Sequence, residues 1–274
     1  MIGYALVSTA LASGTCATGD LDACAVDGGA LLAEKRTDEA MAILVPACDQ
    51  GGLLACYNLA AEHMRNRQVE DALPHFERTC AGELAIGCAD LGFLVATGAG
   101  VPRDPERGFA LTETGCQLGY APACGEAASM LVSGYGTSRD ETRALTYMTS
   151  ACLQGHSPSC TKAGAMAESG IGAKPSSAVA ASWYERACEA SEASGCLSLA
   201  QLHNSAGAFP QALSAATRGC ELEDGLACAS AAMAHLRGRG VAQNIETAQA
   251  LFQAACKAGY TDGCKALEEL NALP

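Results

Sequence analysis

Sixteen cysteines carry the first chemistry the sequence offers. They fall into eight pairs, each a cysteine, seven residues and a second cysteine: Cys16 and Cys24, Cys48 and Cys56, Cys80 and Cys88, Cys116 and Cys124, Cys152 and Cys160, Cys188 and Cys196, Cys220 and Cys228, Cys256 and Cys264. Thiols at a fixed spacing can oxidise to disulfides or hold a metal. Unbroken helix would set the two Cα atoms about 12 Å apart, whereas a disulfide needs them within roughly 7 Å. A bonded pair therefore requires the chain to reverse between its cysteines. Glycine stands three residues after the first cysteine in five copies (Gly19, Gly51, Gly119, Gly155 and Gly259), where a helix takes a left-handed end. Zinc is the rival reading; it normally draws on close Cys-x2-Cys pairs and four ligands per site, and no Cys-x2-Cys occurs here. We read the pairs as disulfides stapling helix–turn–helix corners, which implies an oxidising compartment.

Other reactive residues are sparse. Ser159-Cys160-Thr161-Lys162 has the Ser-x-x-Lys spacing of a serine hydrolase, but the Ser-Asp-Asn and Lys-Thr-Gly motifs that such an enzyme also needs are missing. Ser159 further occupies a slot filled elsewhere by Ala23, Ala55, Gly87, Ala123, Gly195, Ala227 and Gly263, so it reads as a small corner residue. The five histidines contain neither His-x-His nor His-Glu-x-x-His. No catalytic residue, metal or cofactor is expected. One constellation does recur: His63, His203 and His235 stand seven residues past the second cysteine of their repeats, with Arg65 and Arg237 two residues further on. A ring in this slot can pack between helices, or it can line a groove in which the arginines reach a peptide carboxylate. These five are the candidate ligand residues. Trp183, the one tryptophan, can be a core anchor or an interface anchor.

The elements that position these residues follow from the period. First cysteines are separated by 32, 32, 36, 36, 36, 32 and 36 residues, and a repeat of this size reads as a helix hairpin stacked on its neighbours. Four residues past each of the first seven second cysteines stands a small residue: Gly28, Ala60, Gly92, Ala128, Gly164, Ala200 and Ala232. Eight residues before each later first cysteine stands another: Ala40, Ala72, Gly108, Ala144, Ala180, Ala212 and Ala248. Missing side chains at both slots let two helix backbones approach closely. Four repeats add a Gly-x-Gly (Gly98 and Gly100, Gly134 and Gly136, Gly170 and Gly172, Gly238 and Gly240); with no preceding strand and no Walker lysine these are interhelical turns, not phosphate loops. Apolar content of 49% with 5% aromatic fits close-packed helices. The reading is all-α, with residues 13–274 forming one repeat domain of about seven hairpins and a polar final helix carrying Glu268 and Glu269. Residues 1–12 read as a shortened secretion signal or half a repeat. A formal net charge of −13 argues against nucleic acid, whose phosphates demand a basic face, and no run of about 18 apolar residues offers a membrane span.

The segment Cys88-Ala-Asp-Leu91-Gly92-Phe-Leu94 through Gly98-Ala-Gly100-Val101-Pro-Arg-Asp104 resembles the Sel-one-like repeat (SLR) family, kin of tetratricopeptide repeats. The cysteine register further resembles the family's cysteine-rich, Hcp-type branch of secreted bacterial proteins, often labelled β-lactamase-like. The resemblance covers roughly residues 16–270. It implies an α/α solenoid, a right-handed superhelix whose concave face presents first-helix residues to a protein or peptide, in a secreted or periplasmic setting. Its alternative implication is a weak β-lactamase or penicillin-binding hydrolase acting on a β-lactam or cell-wall peptide. Eukaryotic relatives in the mitochondrial intermembrane space give a third.

Overall fold

The computed structural model describes Cys16 and residues 19–272; the segment 1–12 lies outside the described residues. Each repeat is a pair of 13-residue helices. The first helix holds the second cysteine of a pair near its start, and the second holds the first cysteine of the next pair near its end. In chain order they are α1 (Leu21–Ala33), α2 (Thr37–Asp49), α3 (Leu53–Arg65), α4 (Val69–Ala81), α5 (Ala85–Thr97), α6 (Pro105–Gln117) and α7 (Ala121–Ser133). The series continues as α8 (Glu141–Leu153), α9 (Ser157–Ser169), α10 (Ser177–Glu189), α11 (Ala193–Ser205), α12 (Phe209–Glu221), α13 (Gly225–Arg237), α14 (Ile245–Lys257) and a shorter α15 (Thr261–Asn271). No strand occurs among the described residues.

Chain contacts divide the protein into two compact units, Met1–Asp140 and Glu141–Pro274. In the first, α1/α2, α3/α4 and α5/α6 are hairpins and α7 closes the stack. In the second, α8 opens the stack, α9/α10, α11/α12 and α13/α14 are hairpins, and α15 covers α14.

The seven corners from Cys48–Cys56 onward are closed in the same way. Past Asp49, the Gly51 N–H donates to the Cys48 carbonyl and the Gly52 N–H to the Ala47 carbonyl, both at 2.9 Å, the paired bonds of a Schellman end. This end needs one residue with positive φ: Gly51 (101°), Gly119 (91°), Gly155 (92°) and Gly259 (85°) supply it as expected, and Gly19 (78°) has the same sign at the first corner. At the other three corners Glu83 (63°), Ser191 (61°) and Glu223 (63°) take the same conformation without being glycine. Across the turns all eight cysteine pairs are disulfides, with Cα atoms 4.3–4.7 Å apart. Among the described residues no cysteine is free.

Inside the hairpins the small residues perform the expected task. A methyl added at Gly92 would lie 2.9 Å from the Gly108 carbonyl oxygen and 2.8 Å from the Thr112 amide nitrogen, both backbone atoms. At Gly28 it would instead strike the Leu44 side chain, 2.4 Å away. The partner alanines Ala40, Ala72, Ala144, Ala180 and Ala248 are fully buried. In the Gly-x-Gly turns the first glycine gives a left-handed helix end. The second lets the turn lie against the start of the preceding hairpin's second helix. A Cβ on Gly136 would fall 2.0 Å from the Pro105 carbonyl oxygen, and one on Gly172 would fall 2.3 Å from that of Glu141.

Buried polar bonds tie successive first helices together in the first unit. Asn58 Nδ2 donates to the Ala25 carbonyl at 2.8 Å, linking α3 to α1. The Tyr57 hydroxyl donates to Asp90 Oδ2 at 2.9 Å, linking α3 to α5. Each acceptor or donor is nearly or wholly removed from water, so these bonds fix the register in which neighbouring repeats stack.

Candidate functional site

The two basic positions of the recurrent His/Arg slot differ in what they touch. Arg65, at the end of α3, is paired with Glu62 at 2.7 Å, and Asn66 Nδ2 donates to the other oxygen of that buried carboxylate at 3.0 Å. Its charge is used locally. Arg237, at the end of α13, is exposed and borders a cleft of about 290 Å³ between α11, α12 and α13.

The three histidines are not gathered around one ligand. The His63 ring stacks on His75 of α4, with centroids 5.8 Å apart and planes within 3°, and its Nδ1 lies 3.2 Å from Gln68 Oε1. His203 turns towards α10 and borders a second hollow with Ser177, Ala178 and Ala181, so it stands apart from the cleft that Arg237 borders. His235 is half-buried, and its Nδ1 is enclosed with no hydrogen-bond partner. Of the five residues singled out in the sequence, only Arg237 reaches the α11–α13 cleft.

That cleft is built from short side chains. Ala200 of α11, Ala212 and Ala216 of α12, and Ala229 and Ala234 of α13 form its floor. Leu213, Leu226, Met233 and Phe209 add apolar walls, and Leu226 is 39% exposed. Around the rim stand Gln201, Asn204, Tyr260, Arg237 and Arg239, and no acidic side chain lines it. Arg239 sits between the two glycines of Gly238-Arg239-Gly240, with its guanidinium carbon 5.5 Å from the centre of the Phe209 ring. The turn holds it there because Gly240 packs directly on the Phe209 backbone. Two cations at the edge of an alanine-lined cleft, in a chain of net charge −13, are chemically suited to an apolar group next to a carboxylate. Sequence reasoning missed Arg239 and Tyr260; the Gly-x-Gly frame around Arg239 was the available signal.

Ser159 is 1% exposed. Its hydroxyl lies 2.8 Å from His156 Nδ1, a contact one turn apart that the histidine count overlooked. Burial, followed by the neighbouring Lys162, pushes the His156 imidazole below its ordinary pKa. A serine beside a neutral imidazole has the elements of nucleophile activation, yet this hydroxyl is closed off inside the corner where its slot places alanine or glycine in the other repeats. Trp183 is half-buried and packs on the corner of Cys152 and Cys160.

No helix among the described residues is long and apolar enough to cross a membrane, and eight disulfides fit an oxidising extracytoplasmic compartment. Comparison with curated proteins gives no match. Among solved structures, one similar chain is a protective antigen of uropathogenic Escherichia coli strains that displays an SLR fold, with TM-score 0.76 and 22% identity over 84% of this chain and 51% of the antigen. The chain thus spans about half the length of that antigen. A Sel1 repeat protein from Oxalobacter formigenes aligns with TM-score 0.67 and 21% identity, covering 73% of this chain and 84% of the other. These likenesses show the fold. The Sel1 repeat profile itself matches residues 85–120, 121–156, 157–192 and 225–260, four full-length units that leave out the shorter α11/α12 hairpin. With more than half of its residues inside matched repeats, the chain belongs to the Sel1 repeat family.

Proposed function

We propose that this protein is a secreted or periplasmic binding scaffold that grips a segment of a partner protein or peptide in the α11–α13 cleft. The observation that carries this reading is the pairing of an alanine-floored, open cleft with Arg237 and Arg239 on its rim. A cleft of about 290 Å³ lies at the lower bound of ligand pockets and takes one or two side chains. Burying an aliphatic side chain there contributes about 1.5–3 kcal/mol. A carboxylate bonded to arginine adds a similar amount. The matching ligand is a short peptide end: an aliphatic residue beside a C-terminal or aspartate carboxylate. His63, Arg65, His203 and His235 then serve to pack and to neutralise, and the disulfides keep the cleft walls in place. Repeat stacks present such extended surfaces by construction, which supports binding as the role.

The test is selection from a random peptide library displayed with free C-termini. Selected peptides should be rich in aliphatic residues next to a terminal or acidic carboxylate. Amidating that terminus, or changing Arg237→Ala together with Arg239→Ala, should weaken binding at least about tenfold. Selected peptides that bind the double variant as tightly as the parent would remove the cleft from the function. The hydrolase alternative predicts turnover of a chromogenic β-lactam that Ser159→Ala abolishes. Burial of Ser159 leads us to expect no difference between parent and variant.

A further inference from the structure

The Cys48–Cys56 corner differs from the others in what covers it. His75 Nδ1 of α4 lies 3.7 Å from Cys48 Sγ, and the two sulfurs and this nitrogen all lie within 4.8 Å of one another. Among the described residues this is the one group of three such donor atoms. Arg78, one turn further along α4, brings Nη1 to 4.0 Å from Cys48 Sγ while Nη2 donates to the Asp49 carbonyl at 3.2 Å.

The repeat register makes His75 conspicuous. It stands five residues before a first cysteine, a slot occupied in the other repeats by Ile43, Leu111, Tyr147, Trp183, Ala215 and Leu251. Where the contact is resolved, the slot covers the preceding corner with an apolar or aromatic side chain, as Trp183 does over Cys152 and Cys160. In this single copy the cover carries a nitrogen lone pair. A tetrahedral zinc ion, with bonds of about 2.3 Å to sulfur and 2.0 Å to imidazole nitrogen, sets those two ligand atoms roughly 3.5 Å apart. The Cys48–His75 pair is already at that spacing.

We propose that Cys48, Cys56 and His75 form a redox-gated site for a zinc-class divalent cation, closed while the disulfide is intact and opened by its reduction. Opening is a two-electron step. A dithiol passes two electrons and two protons to the Cys48–Cys56 bond, becomes a disulfide itself, and leaves two thiols. The cation then displaces both thiol protons to solvent and accepts the lone pair of neutral His75 Nδ1. Two thiolates balance its charge, and a fourth position remains for water. The Arg78 guanidinium favours the thiolate at Cys48. His75 is half-buried, whereas both cysteines are buried, so the histidine is the side from which the ion is admitted. Its stacking on His63 holds the ring in place. The site lies in the first unit and is independent of the peptide cleft.

The experiment uses the full chain, titrated with a phosphine reductant in the presence of Co²⁺ or Zn²⁺, with thiol alkylation mapped by mass spectrometry. The expected result is one equivalent of Co²⁺ with a sulfur-to-cobalt charge-transfer band, no such band in the oxidised protein, and Cys48 and Cys56 shielded from alkylation by Zn²⁺. His75→Leu places in the slot the residue found at Leu111 and Leu251. It should keep the helical circular dichroism and weaken Co²⁺ binding at least about tenfold. Any of three results would overturn the proposal: no thiolate band in the reduced parent, shielding of a different cysteine pair, or unchanged affinity in His75→Leu. Reduction of Cys48–Cys56 only on melting of the whole fold would overturn it too. If His75→Leu fails to fold, the alkylation map of the parent alone decides.

Discussion

Replacing Asp90 with asparagine should change how the protein's stability depends on pH. Asp90 is 9% exposed and bridges two repeats through the Tyr57 hydroxyl. Burial raises its pKa from an ordinary 3.8 to about 6, opposed by the hydrogen bond that Tyr57 donates to it. The folded pKa therefore lies above the unfolded one, so the folded chain holds this proton more tightly. The contribution is fully present below about pH 4, declines as pH rises towards 6, and is absent above it. The difference corresponds to about 3 kcal/mol. The substituted amide would still accept from Tyr57 and would not titrate. In urea unfolding followed by helical circular dichroism with disulfides intact, the variant minus the parent should swing in the variant's favour by about 2–3 kcal/mol between pH 4 and pH 8. Subtraction removes the slopes of the other carboxylates, which both proteins share. A difference that stays flat across that range would refute the reasoning, because it would mean Asp90 is as well solvated folded as unfolded. Tyr57→Phe gives the complementary sign: with the opposing bond gone, the Asp90 carboxyl should titrate above 6 by carbon NMR.

Removing one corner staple by the double change Cys152→Ala and Cys160→Ala should cost about 2–3 kcal/mol, from the closure entropy of so short a loop, read as a lower urea midpoint; an unchanged midpoint would mean that the disulfide only decorates a corner already fixed by packing. At Glu223, φ is 63°, a conformation that costs a side-chain-bearing residue about 1–2 kcal/mol. Glu223→Gly should stabilise by up to about 1 kcal/mol, raising Tm by about 2–4 °C, while Gly259→Ala in the same slot should lower Tm by a similar amount. A fall in Tm for Glu223→Gly would show that the Glu223 side chain holds its turn by a contact of its own.

The corners and hairpin contacts were legible because each rests on one residue type at one spacing. A disulfide cannot form at a separation of eight without a reversal, and Gly92 cannot be larger without striking the backbone of α6. Legibility failed where geometry is shared by neighbours. Glu83, Ser191 and Glu223 adopt the turn that glycine marks elsewhere, because the Schellman bonds and the sulfur bridge hold the backbone irrespective of residue type. His203 and His235 share a slot, yet His203 borders a hollow with residues of α10 while His235 Nδ1 is enclosed, because a ring's surroundings come from other helices and not from its own register. The α11–α13 cleft is a shape left by absent side chains on three helices at once, and no single stretch of sequence spells it. The place of His75 is not legible in the sequence because it meets a cysteine 27 residues away, in the previous corner rather than its own.

Each sulfur bridge spans a bend between consecutive hairpins, so a protease that cuts one of these bends opens a ring without releasing a fragment. The nicked molecule travels as one piece until reductant is added. A cut at the uncrossed bends, such as those at Lys35 and Arg67, where a basic residue adopts positive φ, severs the chain outright. The molecule thus carries its vulnerability at every second turn, and trypsin-like attack would be felt at those bends first.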